Sequence, residues 1–133
     1  MGIKYLWDTN TTIYYLQQQF PSQAEKFIDD TLKESQPFIS VITEIELLCW
    51  KTDREKDLEI LRNFIDNALV IIELDRSIKL KTEDIRKQHK IRLPDAIIAA
   101  TALAYDLVLL TRNTSDFKNI PNLKILDPHV LNG

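Results

Sequence analysis

Four carboxylates, Asp8, Glu46, Asp95 and Asp116, stand where apolar runs stop or helix-like segments begin, in "KYLWDTN", "VITEIELL", "LPDAIIAA" and "TRNTSDF". A group of acids without histidine suits hard divalent cations, because Mg²⁺ takes oxygen ligands, keeps several waters and works beside phosphates. Such ions activate a water and stabilise the leaving oxygen of a phosphodiester. Helix capping competes for the same residues, since a carboxylate near a helix N-terminus gains roughly 0.3 to 1 kcal/mol from the macrodipole. Thr43-x-x-Glu46 matches a capping box, Asn113-x-x-Asp116 resembles one, and Asp8 could cap the segment after it. Asp95 resists this explanation best. It follows Pro94 at the opening of an otherwise apolar, alanine-rich helix, where a charge risks burial and then needs a partner.

Other chemistries are poorly supplied. The single Cys49 has no second cysteine to pair with, and with only His89 and His129 beside it builds no Cys/His zinc site. Cys49 is expected to be a buried apolar thiol, and both histidines to be surface residues. The two glycines are Gly2 and Gly133, so no internal glycine loop can cradle a phosphate. "DTNTT" is similar to the D-x-D-x-T opening of haloacid dehalogenase phosphatases, but Asn10 replaces the second acid, the general acid of that chemistry.

The elements that must position the acids follow from the hydrophobic pattern. At 133 residues, 44% hydrophobic and 28% charged, the chain reads as one globular domain, 1–133. No apolar run reaches the roughly 18 residues of a membrane span and no signal-peptide pattern opens the sequence, so the expected location is cytoplasmic, away from membrane. A net charge of −3 argues against a broad basic face for nucleic acid, while leaving room for a local track through Lys87, Lys90, Arg92, Arg112 and Lys118. Trp50 could stack on a base, with ordinary packing the simpler role.

Strands are expected at 3–7, 37–42, 69–74, 107–111 and 123–126. "TTIYYLQQQF" reads as a helical turn or two before Pro21, and Ser22 with Glu25 reads as a capping box opening the next helix. Further helices are expected from near Thr43, through Leu58, Leu61, Ile65 and Ala68 with Phe64 beside them, over 77–90, and along "LPDAIIAATALAYDL". Strands alternating with helices predict an α/β fold, with a mostly parallel central sheet of about five strands and helices on both faces. Such sheets bind ligands at the carboxyl ends of their strands.

"LWDTNTTIYYL", "ISVITEIELL", "LPDAIIAATAL" and "LLTRNTSDF" have the order and approximate separations of the motifs of PIN-domain proteins, and the chain especially resembles VapC-type toxin ribonucleases. The resemblance implies a three-layer PIN-like fold and a metal-dependent endoribonuclease using Mg²⁺ or Mn²⁺. It places the family's acidic quartet on Asp8, Glu46, Asp95 and Asp116. Glu46 is preferred to Glu44 because it precedes Leu47, as the family's acid precedes its leucine. Asn10, Thr111 and Asn113 match supporting polar positions, and Arg92, Arg112 and Lys118 are candidate RNA-backbone contacts. RNA is the implied substrate and a cognate antitoxin the implied partner, with a homodimer that could use "TIYYLQQQF". Cys49 and Trp50 depart from the small residue or glycine common after "ELL". The competing expectation is a PIN-like module that binds RNA or protein without cutting.

Overall fold

The apolar runs pair side by side in the computed structural model, which describes residues 2–130. The strands are β1 (Tyr5–Trp7), β2 (Phe38–Ser40), β3 (Val70–Ile72), β4 (Val108–Leu110) and β5 (Ile125–Leu126). They form one sheet in the order β3-β2-β1-β4-β5, and every pairing is parallel. The helices are α1 (Thr9–Leu16), α2 (Ser22–Glu34), α3 (Val41–Leu48), α4 (Glu55–Asn67), α5 (Arg76–Gln88), α6 (Leu93–Ala104) and α7 (Thr114–Phe117), followed by a 3-10 turn at Pro128–Val130.

Successive side chains along a strand point to opposite faces, and this alternation divides the interior in two. Leu6, Ile72 and Leu109 enter one core, with Ile78 and Ile85 of α5 and Ala96, Ala99 and Ala100 of α6. Trp7, Ile39 and Leu110 enter the other, with Ala24 and Ile28 of α2, Leu47 of α3, and Leu61 and Ile65 of α4. Both sheet faces are therefore covered, which is why the strands read as unbroken apolar runs. α6 packs along α5 through alanines that admit close approach. Trp7 meets Tyr15 edge-on at a centroid distance of 5.3 Å and Phe64 at 6.1 Å.

Several local expectations are corrected. The helix expected from near Thr43 begins at Val41, because the Ser40 side chain accepts from the Ile42 N–H at 3.1 Å and ends β2 there. Thr43 and Glu46 consequently form no capping box, and Glu46 rides on the second turn of α3. Ser22 is the first residue of α2 and not its cap; the Pro21 carbonyl accepts from the Glu25 N–H at 2.9 Å, and no side chain caps this end. Cys49, expected to be buried, is exposed at the C-terminal end of α3. His129, expected at the surface, has a side chain only 11% exposed, set against Tyr14 and Phe20 with Nδ1 3.4 Å from Asp127 Oδ1. Part of "TIYYLQQQF" packs inward, with Tyr14, Tyr15 and Leu16 partly buried on the second core and Phe20 buried in it, while Gln17, Gln18 and Gln19 are exposed. Trp50 also packs partly buried on that core.

Candidate active site

From β1 the chain builds the sheet outward through β2 and β3, then returns to lay β4 on the opposite side of β1. The two crossovers diverge at the β1/β4 seam and leave a crevice at its carboxyl end, the place where open parallel sheets bind ligands. Asp8 is the first residue past β1, and Thr111, Asn113 and Asp116 follow β4. α3 brings Glu46 to this edge, and the start of α6 brings Asp95.

Asp8 is fixed on all sides. Its N–H donates to the Leu110 carbonyl at 3.3 Å, its Oδ1 accepts from the Thr11 N–H at 2.8 Å, and its carbonyl accepts from the Thr12 hydroxyl at 3.0 Å. The Thr11 hydroxyl donates to the same Leu110 carbonyl at 3.0 Å, tying α1 to β4. Asp8 therefore does cap α1, and it is also 7% exposed. Burial pushes its carboxyl above the usual carboxylate range; hydrogen bonding from Thr111 and Thr11 pulls it back, and the charge of Asp95 raises it again.

Asp95 links the four acids. Burial raises its carboxyl, the neighbouring Arg92 guanidinium lowers it, and the charges of Asp116 and Glu46 raise it. Because Asp95 also acts on Asp8, one carboxylate feels or exerts the field of the other three. Glu46 Oε1 accepts from the Thr9 hydroxyl at 2.6 Å. Asp116 Oδ2 accepts from Asn113 Nδ2 at 2.6 Å, a contact between side chains in place of the suggested capping box. Asp95 Oδ2 lies 3.4 Å from Arg92 Nε. The donor set is all oxygen, the chemistry a hard divalent cation takes. As the side chains stand, no three acids among the described residues converge closely enough to grip one ion, each being held by its own local partner.

The family model for the PIN domain matches residues 5–123. The chain belongs to the PIN-domain family. Over 94% of this PIN domain and 98% of the relative, it is 29% identical to the tRNA(fMet)-specific endonuclease VapC of Salmonella typhimurium. It also superposes on a chain of the DNA-bound VapBC structure from Salmonella typhimurium with a TM-score of 0.79, at 27% identity, covering 96% of this chain and 99% of that one. A toxin-antitoxin complex from Klebsiella pneumoniae contains a chain 30% identical, with a TM-score of 0.71 and coverage of 96% and 100%. The expected α/β architecture and the VapC resemblance are both borne out.

Within this PIN domain the supporting residues divide. Thr111 lies beside Asp8 and its hydroxyl accepts from the Asn113 N–H at 3.0 Å, while Asn113 holds Asp116. Asn10 is exposed, and among the described residues its side chain makes no hydrogen bond to an acid. Thr9, not singled out in the sequence, makes a contact to an acid that Asn10 does not, its hydroxyl donating to Glu46. Its hydroxyl also lies 3.3 Å from the Thr43 hydroxyl. Glu46, not Glu44, receives the contact from Thr9. Arg112 and Lys118 are exposed, and Arg92 Nε lies 3.4 Å from Asp95. Lys87 is turned to Glu83 at 3.3 Å, whereas Arg86, missed in the sequence, shares a cleft with Lys90, Arg92, Asp95 and Asp116.

Thr9→Val removes the donor that orients Glu46 while keeping the side-chain shape. Partners of this kind are worth about 10- to 100-fold in metal affinity or activity. A loss of about tenfold in cleavage rate is expected, with Thr9→Ser close to native; equal rates for the Val and native proteins would remove Thr9 from the site.

Proposed function

We propose that this PIN domain is a divalent-metal-dependent endoribonuclease, the toxin of a toxin-antitoxin pair. The observation that carries the reading is the gathering of acids at the β1/β4 crevice: Asp8 and Asp116 follow β1 and β4, Asp95 shares a cleft with Asp116, and Glu46 is bonded to Thr9, the residue after Asp8. Four acids at one sheet edge repel one another, and cations are what such an arrangement attracts. Asp8 and Asp95 would be the principal ligands of Mg²⁺ or Mn²⁺, with Glu46 and Asp116 completing the site directly or through waters. The ion, when bound, supplies an activated water and charge for the leaving oxygen.

The protein's own part is positional. Thr11 and the Leu110 carbonyl fix Asp8 at the seam, Thr9 aims Glu46, and Asn113 aims Asp116. Arg112 and Lys118, exposed and flanking Asp116 in sequence, would contact the RNA backbone, and phosphate contacts of this kind set register without reading sequence. The relatives named for tRNA(fMet) make structured RNA the substrate class to test first. Relatives solved as VapBC complexes support a protein antitoxin as partner, and a homodimer is compatible with that assembly. No described helix is long and apolar enough to cross a membrane. The RNA substrate makes the cytoplasm the expected location.

The test is cleavage of a mixed pool of structured RNAs, transfer RNAs included, with Mn²⁺ or Mg²⁺ against EDTA. Cutting that requires the metal and stops on chelation is the expected result. RNA or partner binding without metal-dependent cutting, in folded protein free of antitoxin, would favour the non-catalytic module.

A further inference from the structure

Arg92 occupies an unusual position for a cation. It is the residue before α6, it caps that helix with no side-chain bond, and its Nε lies 3.4 Å from Oδ2 of Asp95. The two partners differ sharply in exposure, at 79% for the Arg92 side chain and 16% for Asp95. The contact is long and runs through Nε alone, so the two terminal nitrogens of the guanidinium have no hydrogen-bond partner among the described residues. Arg92 lines a cleft together with Arg86, Lys90, Ile91, Asp95 and Asp116. Arg86 and Lys90 form no ion pair among the described residues, so this end of the site gathers three cations against two acids.

A divalent ion and a guanidinium cannot both take the same carboxylate oxygen without repelling each other. An exposed arginine whose planar fork matches phosphate geometry has an alternative partner once RNA enters the cleft. We propose that Arg92 is an exchangeable counter-ion of the site, competing with the divalent cation for Asp95 and binding a substrate phosphate, together with Arg86 and Lys90, when it is displaced. This rests on the endoribonuclease reading and adds to it a phosphate subsite on the α5–α6 side. The exchange keeps Asp95 neutralised before metal binds, and it delivers a positive charge to the RNA at the step where metal binding releases the side chain.

The test uses the full chain free of antitoxin, titrated calorimetrically with Mn²⁺ alone, as the native protein and as Arg92→Gln. Loss of the competing pair and of cation–cation repulsion is expected to tighten Mn²⁺ binding about three- to tenfold in Arg92→Gln. At saturating Mn²⁺, the same variant is expected to raise KM for RNA about tenfold while kcat stays within about twofold, the signature of lost uniform binding. The salt dependence of KM should flatten by about one phosphate contact, and Arg92→Lys should recover part of KM. Equal Mn²⁺ affinities for native and Arg92→Gln would overturn the competition, and an unchanged KM and salt slope would overturn the phosphate contact. A native chain that binds no Mn²⁺ would instead overturn the metal-dependent reading itself, and this proposal with it.

Discussion

Asp8→Asn is expected to lose metal-dependent RNA cleavage by at least about 10³-fold, the scale on which single members of a catalytic constellation act. In chelator, the same variant should melt higher than the native protein at neutral pH. Burial holds the Asp8 carboxyl above its ordinary range, so the folded chain binds that proton more tightly than the unfolded chain does. The stabilisation this gives is full below the unfolded-state value and is lost as pH rises through the raised folded-state value. At neutral pH without metal, the fold therefore carries a desolvated charge that unfolding relieves. Asparagine removes the charge and keeps an oxygen for the Thr11 N–H, whereas Asp8→Ala also loses the cap, at about 1 kcal/mol. Melting curves from about pH 4 to about pH 8 should show the native protein losing ground to Asp8→Asn as pH rises. An Asp8→Asn protein that still cuts, or that melts lower than native at neutral pH in chelator, would contradict this account.

Trp7→Ala is expected to have the largest effect on stability. The side chain is 1% exposed, sits against Tyr15 and Phe64, and occupies the middle strand of the sheet. Truncating a buried tryptophan costs about 3 to 5 kcal/mol, against about 5 to 15 kcal/mol for a whole domain. Urea titration should place the midpoint of Trp7→Ala far below native, with much of the protein unfolded at 37 °C, while Trp7→Phe keeps part of the aromatic contact. Cleavage should follow folding in this pair, since Asp8 is the next residue. A Trp7→Ala protein of native stability would mean that α1, α4 and β1 are not packed as described.

The sheet and the acids were legible in the sequence for related reasons. A strand covered on both faces is apolar throughout, so "LVIIEL" and "LVLLT" announced themselves, and the acids stood out as charges placed where those runs stopped. Boundaries were less legible. Val41 and Ile42 favour a strand by their branching, yet they belong to α3 because Ser40 offers a cap at the sheet's end. His129 looked like a surface residue because nothing local marks it; its cage of Tyr14 and Phe20 comes from the other end of the chain. Cys49 errs in the opposite sense: free cysteines are usually buried, but this one lies beyond Leu47, the last buried residue of α3, and is exposed. The supporting shell was hardest to foresee. Thr9 reaches Glu46 across 37 residues of sequence, a distance that no local pattern reports.

The pairing of β1 with β4 has a consequence for how the protein is made. Leu6 lies opposite Leu109, and the Thr11 hydroxyl bonds a carbonyl 99 residues further along. A growing chain emerges from its N-terminus and closes distant pairings late, after the entropy of the long intervening loop has been overcome. Asp8 is translated before β4, and the seam that holds it does not exist until β4 has followed. Asp116 comes later still. A polypeptide lacking the last strands thus has the first acid and no crevice to set it in.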